Sequence, residues 1–194
     1  MILYLHGFRS SPLSFKAQAA ADYMHRHGLG GHFFCPQLPE SPAAAIALAC
    51  RLMKRCDADC ITLIGSSLGG YYANWLAEKT GCRAVLLNPV IDPWRVKRNR
   101  DESSEALNLA EWEKDLEKYA SELRQFQVFQ ITRPERYFLI AATGDELLDF
   151  RLMRAHYSQA RQIIIEGSDH SLSEFPDYLD AILSFSGLDR LNAE

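Results

Sequence analysis

Short apolar runs bounded by glycine, proline or asparagine recur along the chain, and between them apolar residues return at helical spacing. Residues 2–5, Ile-Leu-Tyr-Leu, end at His6-Gly7 and read as a buried strand running into a loop. Ser14 to His27 reads as a helix, with Ser14 placed as an N-cap and Gly28 as a stop. Phe33 to Cys35 is a second short strand closed by Pro36, and alanine-rich Pro42 to Arg55 a second helix. Cys60 to Ile64 is a third apolar run, Gly69 to Thr80 the helix after it, and Arg83 to Leu87 a fourth strand ended by Asn88-Pro89. Tyr137 to Ala142 and Gln162 to Ile165 supply two more strands, separated by a helix from Phe150 to about Gln159, and a last helix runs from about Phe175 to Phe185. Strands alternating with helices predict an α/β fold: three layers, with a mostly parallel sheet of about six strands and helices on both faces.

The stretch from Asp92 to Thr132 breaks this alternation. It is polar and highly charged, with Leu109, Trp112, Leu116, Tyr119 and Leu123 at helical spacing, which predicts an amphipathic helix. Lying between two core strands, residues 92–132 read either as a helical lid inserted over the top of the sheet or as a packing helix on one face. A length of 194 residues fits a single domain, 1–194, that includes this insertion.

Composition narrows the partners. Hydrophobic residues make up 47% and charged residues 24%, as in an ordinary globular protein. The formal charge of −4 provides no basic field for a phosphate backbone, which argues against nucleic acid and leaves a small-molecule substrate. No apolar run approaches the roughly 20 residues of a membrane span, and Met1 leads into an apolar segment without a basic n-region, so a cytoplasmic location is expected. Cys35, Cys50, Cys56, Cys60 and Cys82 are odd in number and form no disulfide framework; they read as reduced, structural thiols. Cys56 and Cys60 lack a second Cys or His pair at matching spacing, so no metal site is expected. The sequence is silent on oligomeric state.

Gly65-Ser66-Ser67-Leu68-Gly69 matches Gly-x-Ser-x-Gly between an apolar run and a helix. A nucleophile in this sharp turn adopts a strained backbone, and small residues two before and two after it prevent clashes. Ser67 is the candidate nucleophile and Ser66 flanks the turn. A phosphate-binding loop is the competing reading, but the Gly-Lys-Ser/Thr ending and the Gly-x-Gly-x-x-Gly fingerprint are both missing. A serine hydroxyl needs a base, and the base needs an orienting acid. Of the six histidines only His156 and His170 follow Ser67; His156 lies inside a predicted helix, whereas His170 stands in the loop after a strand, where α/β sheets place catalytic groups. Asp145, first after Gly144 at the end of another strand, is the preferred acid; Asp149 is placed to cap the next helix, and Asp169 is a remote third. The backbone N–H groups of Leu68, at the helix N-terminus, and Phe8, in the loop after the first strand, are candidate oxyanion donors, with His6 fixing that loop.

Together these residues resemble the α/β-hydrolase superfamily, and more closely the small bacterial YqiA-type esterases. The resemblance rests on Tyr4-Leu5-His6-Gly7-Phe8, Gly65 to Tyr72, Leu87-Asn88-Pro89, Gly144 to Asp149, and Gly167-Ser168-Asp169-His170, and so spans almost the full chain. It implies Ser67, Asp145 and His170 as a triad, Phe8 and Leu68 as oxyanion donors, and hydrolysis of carboxylic esters or acyl thioesters without a cofactor. It also implies a reduced sheet, because larger members have antiparallel strands before the His-Gly loop.

A neutral His170 acting as base predicts lower activity in mild acid. Arg95, Lys97, Arg98 and Arg100 form a basic cluster and Arg9 adjoins the oxyanion loop; with acidic residues following from Asp101, this reads as a solvated charge run, the alternative being attraction of a phosphorylated thioester carrier. Phe15, Tyr71, Trp94 and Trp112 are candidates for an acyl pocket or for core. Two rival functions remain: the same serine machinery used for acyl transfer or lyase chemistry, and a non-catalytic small-molecule binding protein.

Overall fold

The computed structural model describes residues 1–95 and 104–189, and for residues 104–111 the backbone alone. Six strands, β1 (Ile2–Leu5), β2 (Phe33–Phe34), β3 (Thr62–Ser66), β4 (Arg83–Leu87), β5 (Tyr137–Ala142) and β6 (Arg161–Ile165), form one sheet in the order β2-β1-β3-β4-β5-β6. Every neighbouring pair is parallel. The helices are α1 (Phe15–Arg26), α2 (Pro42–Met53), α3 (Leu68–Thr80), α4 (Ser104–Gln125), α5 (Phe150–His156) and α6 (Leu179–Ser186).

The apolar runs are continuous because both faces of the sheet are covered. Leu3, Leu5, Leu63, Leu86 and Leu139 point to one face, against Ile46 of α2, Leu76 of α3, Leu123 of α4 and Met153 of α5. Ile2, Tyr4, Ile64, Val85 and Ile140 point to the other, against Ala20 and Met24 of α1 and Ile182 of α6. This is a three-layer α/β fold.

Element ends depart from the sequence reading where local turns intervene. β3 begins two residues late because Ala58–Cys60 forms a short 3-10 turn, and it carries on through Gly65 into Ser66. Phe175–Tyr178, with Pro176 in its first turn, is likewise a 3-10 turn, so α6 starts only at Leu179. Ser14 stands at the N-cap of α1 without a side-chain bond to the helix. Of the five cysteines Cys82 is buried, Cys35 and Cys50 are half-buried, and Cys56 and Cys60 are exposed, so burial does not support the reading as structural thiols at those last two.

Helix α4 makes two kinds of contact. Toward its carboxyl end, Leu123 and then Phe126 just beyond it are buried, Phe126 meeting Trp75 at 5.0 Å between rings. Farther back, Trp112 packs edge-on against Phe8 at 4.9 Å. Glu122 reaches the N-terminus of α2, where Oε2 accepts from Ser41 Oγ at 2.7 Å and from Ala43 N–H at 2.8 Å. The Leu109 side chain lies outside the described residues.

Candidate active site

From β1 the chain runs outward to β2, then returns to the far side of β1 to lay down β3. In parallel sheets such a reversal opens a crevice at the carboxyl ends of the two adjoining strands. Two loops leave there at one level, since Leu5 of β1 is in register with Gly65 of β3.

The loop after β3 is a single residue, Ser67, with φ 54° and ψ −119°, and α3 begins at Leu68. A left-handed backbone at a non-glycine residue costs on the order of 1–3 kcal/mol and persists only where the surroundings enforce it. Here Ser67 N–H donates to Leu87 O at 3.0 Å, while Ser67 O accepts from Gly70 N–H at 2.9 Å and Val90 N–H at 3.0 Å. The turn also demands two missing side chains. A Cβ at residue 69 would stand 2.0 Å from Leu5 O, and one at residue 65 would stand 2.5 Å from Gly69 O.

The loop after β1 carries His6, Gly7 and Phe8, and it lies against the elbow, a Cβ built at residue 7 falling 3.1 Å from Ser67 Cβ. His6 Nε2 accepts from Leu38 N–H at 3.0 Å, which leaves Nδ1–H to donate to Gly7 O at 3.0 Å. Burial lowers its pKa and keeps the ring neutral in that role. Leu68 N–H belongs to the first turn of α3, where backbone donors lack intrahelical partners.

His170 arrives from the loop after β6. Its Nε2 lies 3.2 Å from Ser67 Oγ and its Nδ1 2.8 Å from Asp145 Oδ2. A carboxylate can only accept, so Nδ1 carries the proton and Nε2 presents a lone pair to the serine hydroxyl. Asp145 is 1% exposed, and its other oxygen accepts from Leu147 N–H at 2.9 Å and Leu148 N–H at 2.8 Å. Asp149 instead caps α5, accepting from the Arg151 N–H at 3.0 Å. The Asp169 carbonyl, not its carboxylate, is bonded near the site, accepting from Asn88 Nδ2 at 3.0 Å. His156 has another setting, where Asn74 Nδ2 donates to its Nε2 at 3.2 Å.

Three residues near His170 are given no role in the site by the sequence reading. Glu146 Oε2 accepts the His170 N–H at 3.0 Å. Lys16 Nζ donates to Ser171 O at 2.8 Å, and burial lowers its pKa to about 8 against the opposing pull of Asp169, Asp145 and Glu146. Asn88 bonds the same segment. These contacts join positions 24 to 155 residues apart, and no local pattern announces them.

A cavity of about 500 Å³ opens over Ser67 and His170, within the range of small-molecule sites. Phe8, Val90, Trp112, Leu147 and Leu148 give it an apolar part; Ser14 and Lys16 give it a polar one. Arg9 also lines it and pairs with Asp115 of α4 at 3.3 Å. Of the acyl-pocket candidates, Phe15 and Trp112 line the cavity. Tyr71 is core, its hydroxyl donating to Leu123 O at 2.7 Å, and Trp94 lies under the Arg124 guanidinium. In the basic cluster Arg95 pairs with Asp92 at 3.3 Å; Lys97, Arg98 and Arg100 lie outside the described residues.

A parallel sheet between two helical layers, with a strained serine elbow at its switch point, gives this chain the α/β-hydrolase fold. Within it, residues 1–187 match the sequence model described as Uncharacterised protein family (UPF0227), and the chain belongs to that family. Solved structures share the fold at low identity. Mouse alpha/beta hydrolase domain-containing protein 10 superposes with a TM-score of 0.71 at 13% identity, over 98% of this chain and 90% of that one. An esterase from Pyrococcus furiosus gives 0.67 at 17% identity, over 95% and 78%. The metagenome-derived lipolytic enzymes LipS and LipT are represented by a structure giving 0.65 at 16%, over 95% and 92%. Among the described residues no helix is long and apolar enough to cross a membrane.

Proposed function

We propose that the protein is a serine hydrolase that cleaves carboxylic esters or acyl thioesters. The observation that carries this reading is the unbroken chain of hydrogen bonds from Ser67 Oγ through the His170 ring to the buried Asp145, opening on the cavity. The esterase and hydrolase neighbours in the same fold support it.

In this reaction Ser67 Oγ attacks the acyl carbon while His170 Nε2 takes the hydroxyl proton. Asp145 keeps the imidazole in the tautomer that can receive it and stabilises the ring once charged. The N–H groups of Leu68 and Phe8 hold the oxyanion, each donor contributing about 3–4 kcal/mol of transition-state stabilisation. Collapse expels the alcohol or thiol, which leaves with the proton from His170; water, activated by the same base, then releases the acid and restores Ser67. The apolar part of the cavity fits an acyl chain, and Trp112 makes α4 one of its walls. This chemistry requires no metal or cofactor.

The test is to incubate the protein and Ser67→Ala with a fluorophosphonate and weigh both intact. One adduct on the wild type alone is expected. No adduct on the wild type, or the same adduct on both, would overturn the assignment of Ser67. Products formed from an ester with and without an added alcohol then separate hydrolysis from acyl transfer.

A further inference from the structure

The four residues Leu87 to Val90, from the last residue of β4 onward, are bonded to the backbone beside every member of the Ser67–His170–Asp145 chain. Leu87 O and Val90 N–H grip the two sides of Ser67, each at 3.0 Å. Between them, the Asn88 carboxamide turns the other way. Its Oδ1 accepts from Ala142 N–H at 2.8 Å, at the end of β5 and three residues before Asp145. Its Nδ2 donates to Asp169 O at 3.0 Å and to His170 O at 3.2 Å. Asn88 N–H adds a bond to Ile140 O at 3.0 Å.

The side chain is 0% exposed and its backbone φ is +40°. Asparagine enters that left-handed region more readily than other non-glycine residues. Its chemistry fits the site as well, because one acceptor meets one N–H and two donors meet two carbonyls. Aspartate would offer no donor to those carbonyls, and leucine neither function.

We propose that Asn88 is a positioning residue for the hydrolase reaction: one carboxamide ties the His170 segment to the strand ends that carry Ser67 and Asp145, and so sets the distances within the triad. The proposal rests on the reading of those three residues as the catalytic groups. Lys16 and Glu146 hold the His170 segment too, so loss of the carboxamide displaces the imidazole without freeing the loop.

Two variants separate this role from a merely structural one. Asn88→Gly is at ease at positive φ and removes the carboxamide; Asn88→Asp keeps the shape and the acceptor but turns an oxygen toward two carbonyls. For each, the rate of fluorophosphonate labelling of Ser67 is measured beside the low-field NMR signal of the His170 Nδ1 proton and the melting curve. The expected result is a folded protein that labels about 10- to 100-fold more slowly, since displacements near 1 Å cost up to about 100-fold, with a weakened Nδ1 proton signal. On an ester substrate, kcat falls while KM changes little. A folded variant that labels at the wild-type rate and keeps the proton signal would overturn the proposal. If wild-type Ser67 takes no label, the hydrolase reading fails, and the proton signal alone then decides whether Asn88 places His170 against Asp145. Should Asn88→Asp fail to fold, Asn88→Gly carries the decision.

Discussion

Asp145 and Asp149 lie four residues apart in one loop, and their surroundings give them different work. Asp145 is buried with three acceptor bonds, two from backbone amides and one from the imidazole. Asp149 faces a helix N-terminus and the Arg151 guanidinium. Asp145→Asn should therefore slow turnover on the order of 10⁴-fold, because the amide stabilises the wrong imidazole tautomer. Asp149→Ala should leave fluorophosphonate labelling unchanged and cost about 1 kcal/mol of stability through the lost cap. Labelling rates and melting curves of the two variants check both; equal loss of reactivity in both would sink the division. The position of Asp145 directly after Gly144 singles it out in the sequence, as Gly-x-Ser-x-Gly singles out Ser67. The Asn88 carboxamide is not legible that way, since its partners lie 54 to 82 residues away and only folding brings them together.

At the scale of elements, the strands are easy to read because burial on both faces leaves uninterrupted apolar runs, as in Tyr137–Ala142 and in residues 84–87 of β4. Their ends are harder, because the 3-10 turns at Ala58–Cys60 and Phe175–Tyr178 have no hydrophobic period of their own. The stripe on α4 is visible as periodicity, but its division of labour is not: Leu123 goes to the core and Trp112 to the cavity. Glu122 fixes this helix by placing a carboxylate at the positive N-terminus of α2. Glu122→Ala should cost roughly 1 kcal/mol, a fall of about 2–4 °C in Tm for a chain of this size. A melting curve unchanged in low salt would show that the carboxylate is not an anchor.

The whole molecule couples this architecture to pH through one buried and one half-buried imidazole, His6 and His156, outside the proposed triad. His6 and His156 each accept a hydrogen bond at Nε2, from Leu38 N–H and from the Asn74 amide, and a protonated ring can only donate. Burial accordingly lowers both pKa values, Glu78 opposing the shift at His156. Near and below the ordinary histidine pKa of about 6.5, the unfolded chain takes up protons that the folded chain refuses. Stability is therefore full above that pH and is lost as pH falls through it toward the lowered folded values. His156→Gln keeps an acceptor for Asn74 in its amide oxygen and removes the titration. Melting temperatures of wild type and His156→Gln, taken from pH 7.5 to 5, should show the wild type falling faster. A constant difference between the two curves would mean that His156 binds protons equally in both states, and the acid sensitivity would then have to come from His6 or the carboxylates.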